Sequence, residues 1–247
     1  MHRATLLFLS LATTSTAAAQ APGHFLPDSL VNTQVFPHNT PVSQVVSTMR
    51  GITAALDVRC DFCHEEKAGP PSAGLDFPSD KKQTKLIARQ MLRMVAEINR
   101  RVDTLPGHAT GDPVVTCATC HRGVTLPVPL SQLMQEAAEQ STDSAVRAYR
   151  ALRQRYYGRA SYDFGEESLN TTASQLARGG KFTEALAMLS LNEESFPTSA
   201  GIADARGDVQ LMKGDTAAAV AAFREAEKRD PGDREARGRL HQLGQKP

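Results

Sequence analysis

The sequence predicts an all-α chain, on three observations. Apolar residues recur at helical spacing in three stretches, near 41–56, 80–102 and 131–157. The last third of the chain repeats itself with a period of 34 residues, the length of a stacked helix pair. No strand–helix pattern surrounds the four cysteines. With 40% hydrophobic residues, 5% aromatic residues and no Trp in 247 positions, there is apolar material for helices but little for a core of its own making.

The chain opens with an export signal. Met1-His2-Arg3 is a short basic start, Leu6 to Leu9 an apolar run and Ala17 to Ala19 a small-residue cleavage site, so the mature protein begins at Gln20. The run is too short to span a bilayer, which needs about 20 residues, and no Cys follows it to take a lipid. Residues 1–19 contain Arg3 and no acid, so the mature chain balances its charges: the full chain has 28 Lys and Arg against 27 Asp and Glu. That balance gives no basic footprint for nucleic acid. The expected product is a soluble, exported protein, periplasmic in a bacterium.

The first helix is predicted from about Pro41 to Leu56. Thr40 is its candidate N-cap, and Pro41 occupies the first helical position, where it is tolerated. Val42, Val45, Met49, Ile52 and Leu56 form its apolar stripe, and Gly51 would let a flat ring approach the backbone. The second helix is predicted from about Asp80 to Val102, with Ile87, Met91, Met94, Ile98 and Val102 on one face. A methionine in such a stripe is more often core filler than a ligand. Here each Met-bearing helix is followed by a loop and then by the same cysteine motif.

That motif is Cys60-Asp61-Phe62-Cys63-His64 and again Cys117-Ala118-Thr119-Cys120-His121, with no cysteine left over. C-x-x-C-H is the attachment pattern of c-type haem. Two thiols reach two vinyl groups of one porphyrin, and the next residue places an imidazole on the iron. Zinc knuckles would need the two pairs close together, yet residues 64–116 separate them, and zinc does not explain a His after each pair. A disulfide within either pair would close a two-residue loop and little chain entropy. The expectation is two covalent haems (heme c with its iron), on Cys60 and Cys63 and on Cys117 and Cys120, with His64 and His121 as proximal ligands. A sixth ligand is common in electron-transfer haems, and Met is a frequent choice. Met49 and Met91 are the candidates, with Met94 as the rival of Met91. Among the other histidines, His24 and His38 fall in an extended N-terminal segment, where either could replace Met49 in a bis-His site although solvation is expected; His108 falls in a polar loop where exposure is expected, and His241 far from both motifs.

Residues from about Phe36 to Pro129 resemble the cytochrome subunit of bacterial photosynthetic reaction centres. The matching stretches are Thr48-Met49-Arg50-Gly51-Ile52-Thr53, Cys60 to His64, Ala88 to Met94 with Ile98-Asn99, and Val115-Thr116-Cys117 through Cys120-His121-Arg122-Gly123. In that family the Met on each helix ligates the haem that follows, and the first Met of the Met-Leu-x-Met pair is used. The resemblance therefore implies Met49 and Met91. The family also has a His just before its second motif that serves a haem of the other half, and His108 stands one residue further from the motif. The family carries four haems; this chain has motifs for two.

Leu126 to Pro129 reads as the edge of the haem module. A helical stretch from Ser131 to about Tyr157 follows, broken near Ser141-Thr142-Asp143, and residues 158–166 read as a polar loop. In the repeat, Gly180 pairs with Gly214, Ala185 with Ala219, Leu189 with Phe223, Glu193 with Glu227 and Pro197 with Pro231, which is a tetratricopeptide pattern. The predicted organisation is thus a signal at 1–19, a dihaem cytochrome domain at 20–130, a connection at 131–165 and tetratricopeptide-like repeats at 166–247. The expected function is non-enzymatic electron transfer between redox partner proteins, with a membrane complex as one candidate partner and the repeats as a docking platform. Two other readings remain open: a dihaem peroxidase with one open haem, and a zinc-binding interaction protein.

Overall fold

The computed structural model describes residues 29–245; the predicted signal, the cleavage site and His24 lie outside them. The described residues hold ten α-helices and one two-stranded sheet, so the all-α expectation stands. They contain no helix long and apolar enough to cross a membrane.

Helix α1 spans Val42–Leu56. Its hydrogen bonding starts from the Pro41 carbonyl, which accepts from the N–H groups of Gln44 and Val45. Asp57, in the left-handed region at φ 53°, follows its end. The strands β1 (Glu65–Glu66) and β2 (Leu75–Asp76) pair antiparallel, Glu65 with Asp76 and Glu66 with Leu75. Helix α2 spans Gln83–Val102, three residues short of the predicted start. The difference has a cause: the Asp80 carboxylate is held by Lys85 at 3.0 Å and Arg89 at 2.9 Å, so the chain before the helix folds back along it.

The chain divides into two compact units, one of residues up to Met49 with Arg59–Met94, the other of Arg50–Val58 with everything from Val95. In the first unit Val45 is the one buried hydrophobic residue among those described; the other buried side chains there are Lys85 and Arg89. Such a segment has almost no apolar core of its own.

The second unit has one. It contains α3 (Cys117–His121), α4 (Leu130–Gln140), α5 (Thr142–Tyr156), α6 (Glu166–Arg178), α7 (Phe182–Glu193), α8 (Ala200–Lys213), α9 (Thr216–Arg229) and α10 (Arg234–Gln242). The predicted break near 141–143 is the α4–α5 junction at Ser141. Leu130, Met134, Tyr149, Leu169, Met188, Leu189 and Ile202 lie in one continuous core. The loop after α5 is not merely polar, as its composition suggested. It buries Phe164, and the rings of Tyr149 and Tyr162 pack against Phe164 edge-on at 5.8 and 6.3 Å.

Helices α6/α7 and α8/α9 are two hairpins of one construction. Each first helix runs into a left-handed glycine, Gly180 at φ 75° and Gly214 at φ 87°, where a side chain would be strained. Ala185 and Ala219 are both fully buried, as are Leu189 and Phe223. Glu193 ties the hairpins together, accepting from Arg206 at 2.7 Å and from Arg229 at 2.5 Å.

Candidate functional site

Both cysteine motifs form a single helical turn. In the first, a 3₁₀ turn over Cys60–Phe62 continues so that the N–H groups of Cys63 and His64 both donate to the Cys60 carbonyl, at 3.2 and 3.0 Å. In the second, α3 is itself the motif. The Thr119 hydroxyl accepts from the Thr116 N–H at 3.0 Å and fixes the start of the turn. Residues one, four and five of the motif lie on one side of such a turn, so two sulfurs and an imidazole face the same way. None of the four cysteines is in a disulfide.

The two histidines differ in surroundings. His121 lies 2.8 Å, through Nδ1, from the Val124 carbonyl oxygen. A carbonyl can only accept, so Nδ1 carries the proton and Nε2 keeps its lone pair, as an iron ligand requires. This geometry comes from the end of α3: Arg122 is left-handed at φ 48°, Gly123 follows at φ 88°, and the chain turns back over the ring. The Gly123 N–H is held by the Ala55 carbonyl at 2.7 Å.

His64 has a buried Nδ1 with no hydrogen-bond partner, and its ring meets the edge of Phe77 at 4.9 Å between centroids. Burial first, and then the Lys85 ammonium, hold its pKa below the ordinary value of 6.5, with the Phe77 backbone opposing. The ring is therefore kept neutral, the form that can bind a metal. Beside it, burial pushes the Cys63 thiol up from 9.0, against the Thr84 hydroxyl and Lys82. The Thr84 hydroxyl also donates to the Phe62 carbonyl at 2.6 Å and braces the turn.

Of the predicted site residues, Met49, Cys60, Cys63, His64, Met91 and Met94 fall in the first unit, and Cys117, Cys120 and His121 in the second. Met49 is half-buried on α1. Ile87, Met91 and Met94 make a stripe on α2 that the described residues leave 54%, 38% and 48% exposed. A unit with one buried apolar residue and an uncovered stripe of Ile and Met fits a large flat apolar group, which would supply the missing core. A cleft of about 440 Å³ also opens at Cys120, lined by Arg122, Val128, Leu130 and Tyr162 among others.

His108 departs from its expected exposure. Its side chain is only 16% exposed, its Nε2 is buried without a partner, and Nδ1 stands 3.9 Å from Asp103. His38 and His241 are both exposed. Among the described residues no three His, Cys, Asp or Glu side chains are grouped to hold a metal ion by themselves, which gives the zinc reading no geometric support.

Two structural supports are only weakly marked in the sequence. Asn99 clasps residue 115, its amide donating to the Val115 carbonyl at 2.9 Å and its oxygen accepting from the Val115 N–H at 2.8 Å, just ahead of α3. Lys85 and Arg89 are buried charges at helical spacing on α2. A charged residue in sequence reads as a solvated face, and only the i, i+4 pair five and nine residues after Asp80 hints otherwise.

The family model described as photosynthetic reaction centre cytochrome C subunit matches residues 10–169, which include both C-x-x-C-H turns. The chain belongs to the photosynthetic reaction centre cytochrome C subunit family. A reaction centre cytochrome C subunit is a c-type cytochrome, which implies covalent haem c and a role in electron transfer. That work implies redox partner proteins or a membrane complex. The match ends at residue 169, near the start of the paired hairpins α6–α9, which therefore add to what the family model describes.

Proposed function

We propose that the protein is an exported electron carrier holding two covalent haems with His/Met ligation, attached to a tetratricopeptide-like docking platform. The observation that carries the reading is the pair of C-x-x-C-H motifs, each folded into a single helical turn, the spacing that puts two cysteines and a histidine on one side. Bound haem supplies a one-electron couple between ferric and ferrous iron.

The chain's own residues do the rest. Cys60 and Cys63, and Cys117 and Cys120, fix each porphyrin by thioether bonds, so the carrier keeps its cofactor through every cycle. His64 and His121 would hold the irons as neutral imidazoles, His121 with its tautomer set by Val124. Met49 serves the first haem and Met91 the second. A thioether ligand favours the ferrous state and raises the potential. With Met49 and Met91 as ligands, the irons would have no open position for peroxide, and so the reading is a carrier and not a peroxidase.

Support for the docking platform comes from the matched hairpins α6/α7 and α8/α9, with their paired Gly, Ala and large apolar positions. Two hairpins are fewer than the three repeats usually needed for a stable stack. Helices α4 and α5 share the core of α6 and α7 and supply the missing cap. Export rests on the basic–apolar–small pattern of residues 1–19.

The test is production of the full chain in an exporting host with haem-attachment machinery. Intact mass should rise by two haems, and Cys117→Ala with Cys120→Ala should remove one. A hydrogen peroxide turnover assay on the loaded protein should show no activity above free haem. A colourless exported product, or one binding zinc in place of haem, defeats the proposal.

A further inference from the structure

Behind His64 lies a set of charges that haem attachment does not require. Lys85 is 8% exposed, and its ammonium donates to three consecutive carbonyls, Phe77 at 2.7 Å, Pro78 at 3.1 Å and Ser79 at 2.7 Å. Arg89, also 8% exposed, donates to the Asn32 carbonyl at 3.1 Å. Both cations share one counter-ion, Asp80, at 3.0 and 2.9 Å. Two cations against one anion leave one positive charge unbalanced. Burial of a net charge is costly, and a cheaper residue at either position could have served packing alone.

The segment that Lys85 grips, residues 77–79, carries the Phe77 ring that abuts His64 at 4.9 Å. Lys85 thus reaches the surroundings of that proposed ligand through the Phe77 carbonyl, at 2.7 Å. Asp80 stays ionised, its carboxyl held far below the usual carboxylate range by the Arg89 guanidinium, with Asn32 and Lys85 adding to it.

We infer that Lys85, Arg89 and Asp80 form a potential-setting cluster for the haem at Cys60 and Cys63, in which the unbalanced cation favours the reduced iron and Asp80 limits the effect. The inference rests on the haem reading above. Reduction adds one electron to the haem, so a nearby positive charge in a poorly screened site stabilises the ferrous form. None of the three residues is a ligand. They act through field and through the placement of Phe77.

The test is a spectroelectrochemical titration of the loaded, full-length protein. Mass and pyridine haemochrome first establish that two haems are attached; failure at that stage sinks the haem reading itself. Lys85→Met and Arg89→Gln should each lower one of the two reduction steps and leave the other in place. Asp80→Asn should move that same step upward. The opposed signs separate charge from architecture, since loosening the 77–80 segment by any of these changes would admit water and move the step downward in all three. If the three variants move the step in one direction, or none moves it, the inference is wrong. Should Lys85→Met fail to take up haem, the opposition of Arg89→Gln and Asp80→Asn decides the matter.

Discussion

His121 donates its Nδ1 proton to the carbonyl oxygen of Val124, three residues on and 2.8 Å away. The contact exists because the chain reverses through two left-handed residues, Arg122 and Gly123. At Gly123 a β-carbon would meet the Ser161 hydroxyl at 3.6 Å and Asp57 at 3.9 Å, so there is room for it; the obstacle is φ 88°. Gly123→Ala should therefore cost about 1–2 kcal/mol from backbone strain alone. Denaturant unfolding of the loaded protein should show that loss, together with a changed near-infrared or EPR signature of the second haem as its imidazole turns.

Met49→Ala removes the proposed thioether from the first haem. One reduction potential should fall, and that haem should bind added imidazole or carbon monoxide. A redox titration with and without the added ligand reads both effects. If neither potential nor ligand binding changes, another residue occupies the sixth position.

Gly207 on α8 sits against the face of Phe223 on α9. A β-carbon there would lie 2.4 Å from the ring, which is fully buried and has nowhere to go. Alanine gains up to about 1 kcal/mol of helix propensity over glycine, but overpacking of this kind costs about 1–3 kcal/mol or more. Gly207→Ala should be destabilising on balance and lower the thermal midpoint, while the haem absorption spectrum stays unchanged at low temperature.

Asp204 on α8 is 8% exposed, and its carboxyl faces that of Asp233, which caps α10 by accepting from the N–H groups of Glu235 and Ala236 at 2.8 and 3.1 Å. Burial, the bond to Asp233 and the nearby Glu235 and Asp208 push Asp204 up to about 8. Two cations lie at this corner: Arg237 acts on Asp233, and Arg239 is engaged with Asp208 at 3.0 Å. The folded protein thus holds a proton that the unfolded chain releases near 3.8. Stability from this group is complete at low pH and falls as pH rises from about 4 to about 8, with a slope approaching about 1.4 kcal/mol per pH unit. Asp233 is shifted the other way, and its contribution is lost only as pH falls below the ordinary carboxylate value. Asp204→Asn should flatten the decline between pH 6 and 8 in denaturant titrations, because an amide still donates to Asp233 and never ionises.

Much of this was legible in the residues. The Cys and His positions follow from C-x-x-C-H chemistry, and a turn that closes on Cys60 or caps at Thr116 is what that chemistry needs. The hairpin pair was visible because Gly180, Ala185 and Leu189 return at 214, 219 and 223 with the same roles. What stayed hidden depends on contacts distant in sequence. The segment 158–165 has the composition of a polar loop, yet Phe164 finds Tyr149 and Tyr162. Lys85 looks solvated until the carbonyls of 77–79 are laid along it. His108 looks exposed because Pro106 and Gly107 precede it, and its burial depends on a turn that brings its N–H to the Leu105 carbonyl at 3.1 Å. Asp80 stands outside α2 and not at its start, because its carboxylate serves Lys85 and Arg89 further along.

The first unit, with Val45 as its lone buried hydrophobic residue among those described, has a bearing on how the protein is made. Ordering a chain segment costs about 1–2 kcal/mol per residue in backbone freedom, and a single valine cannot offset that. On the haem reading proposed above, pigment must arrive before architecture: the segment around Cys60 and Cys63 stays open until porphyrin is attached and closes only once loaded. On that reading, a chain left without haem stays open to proteases in this segment.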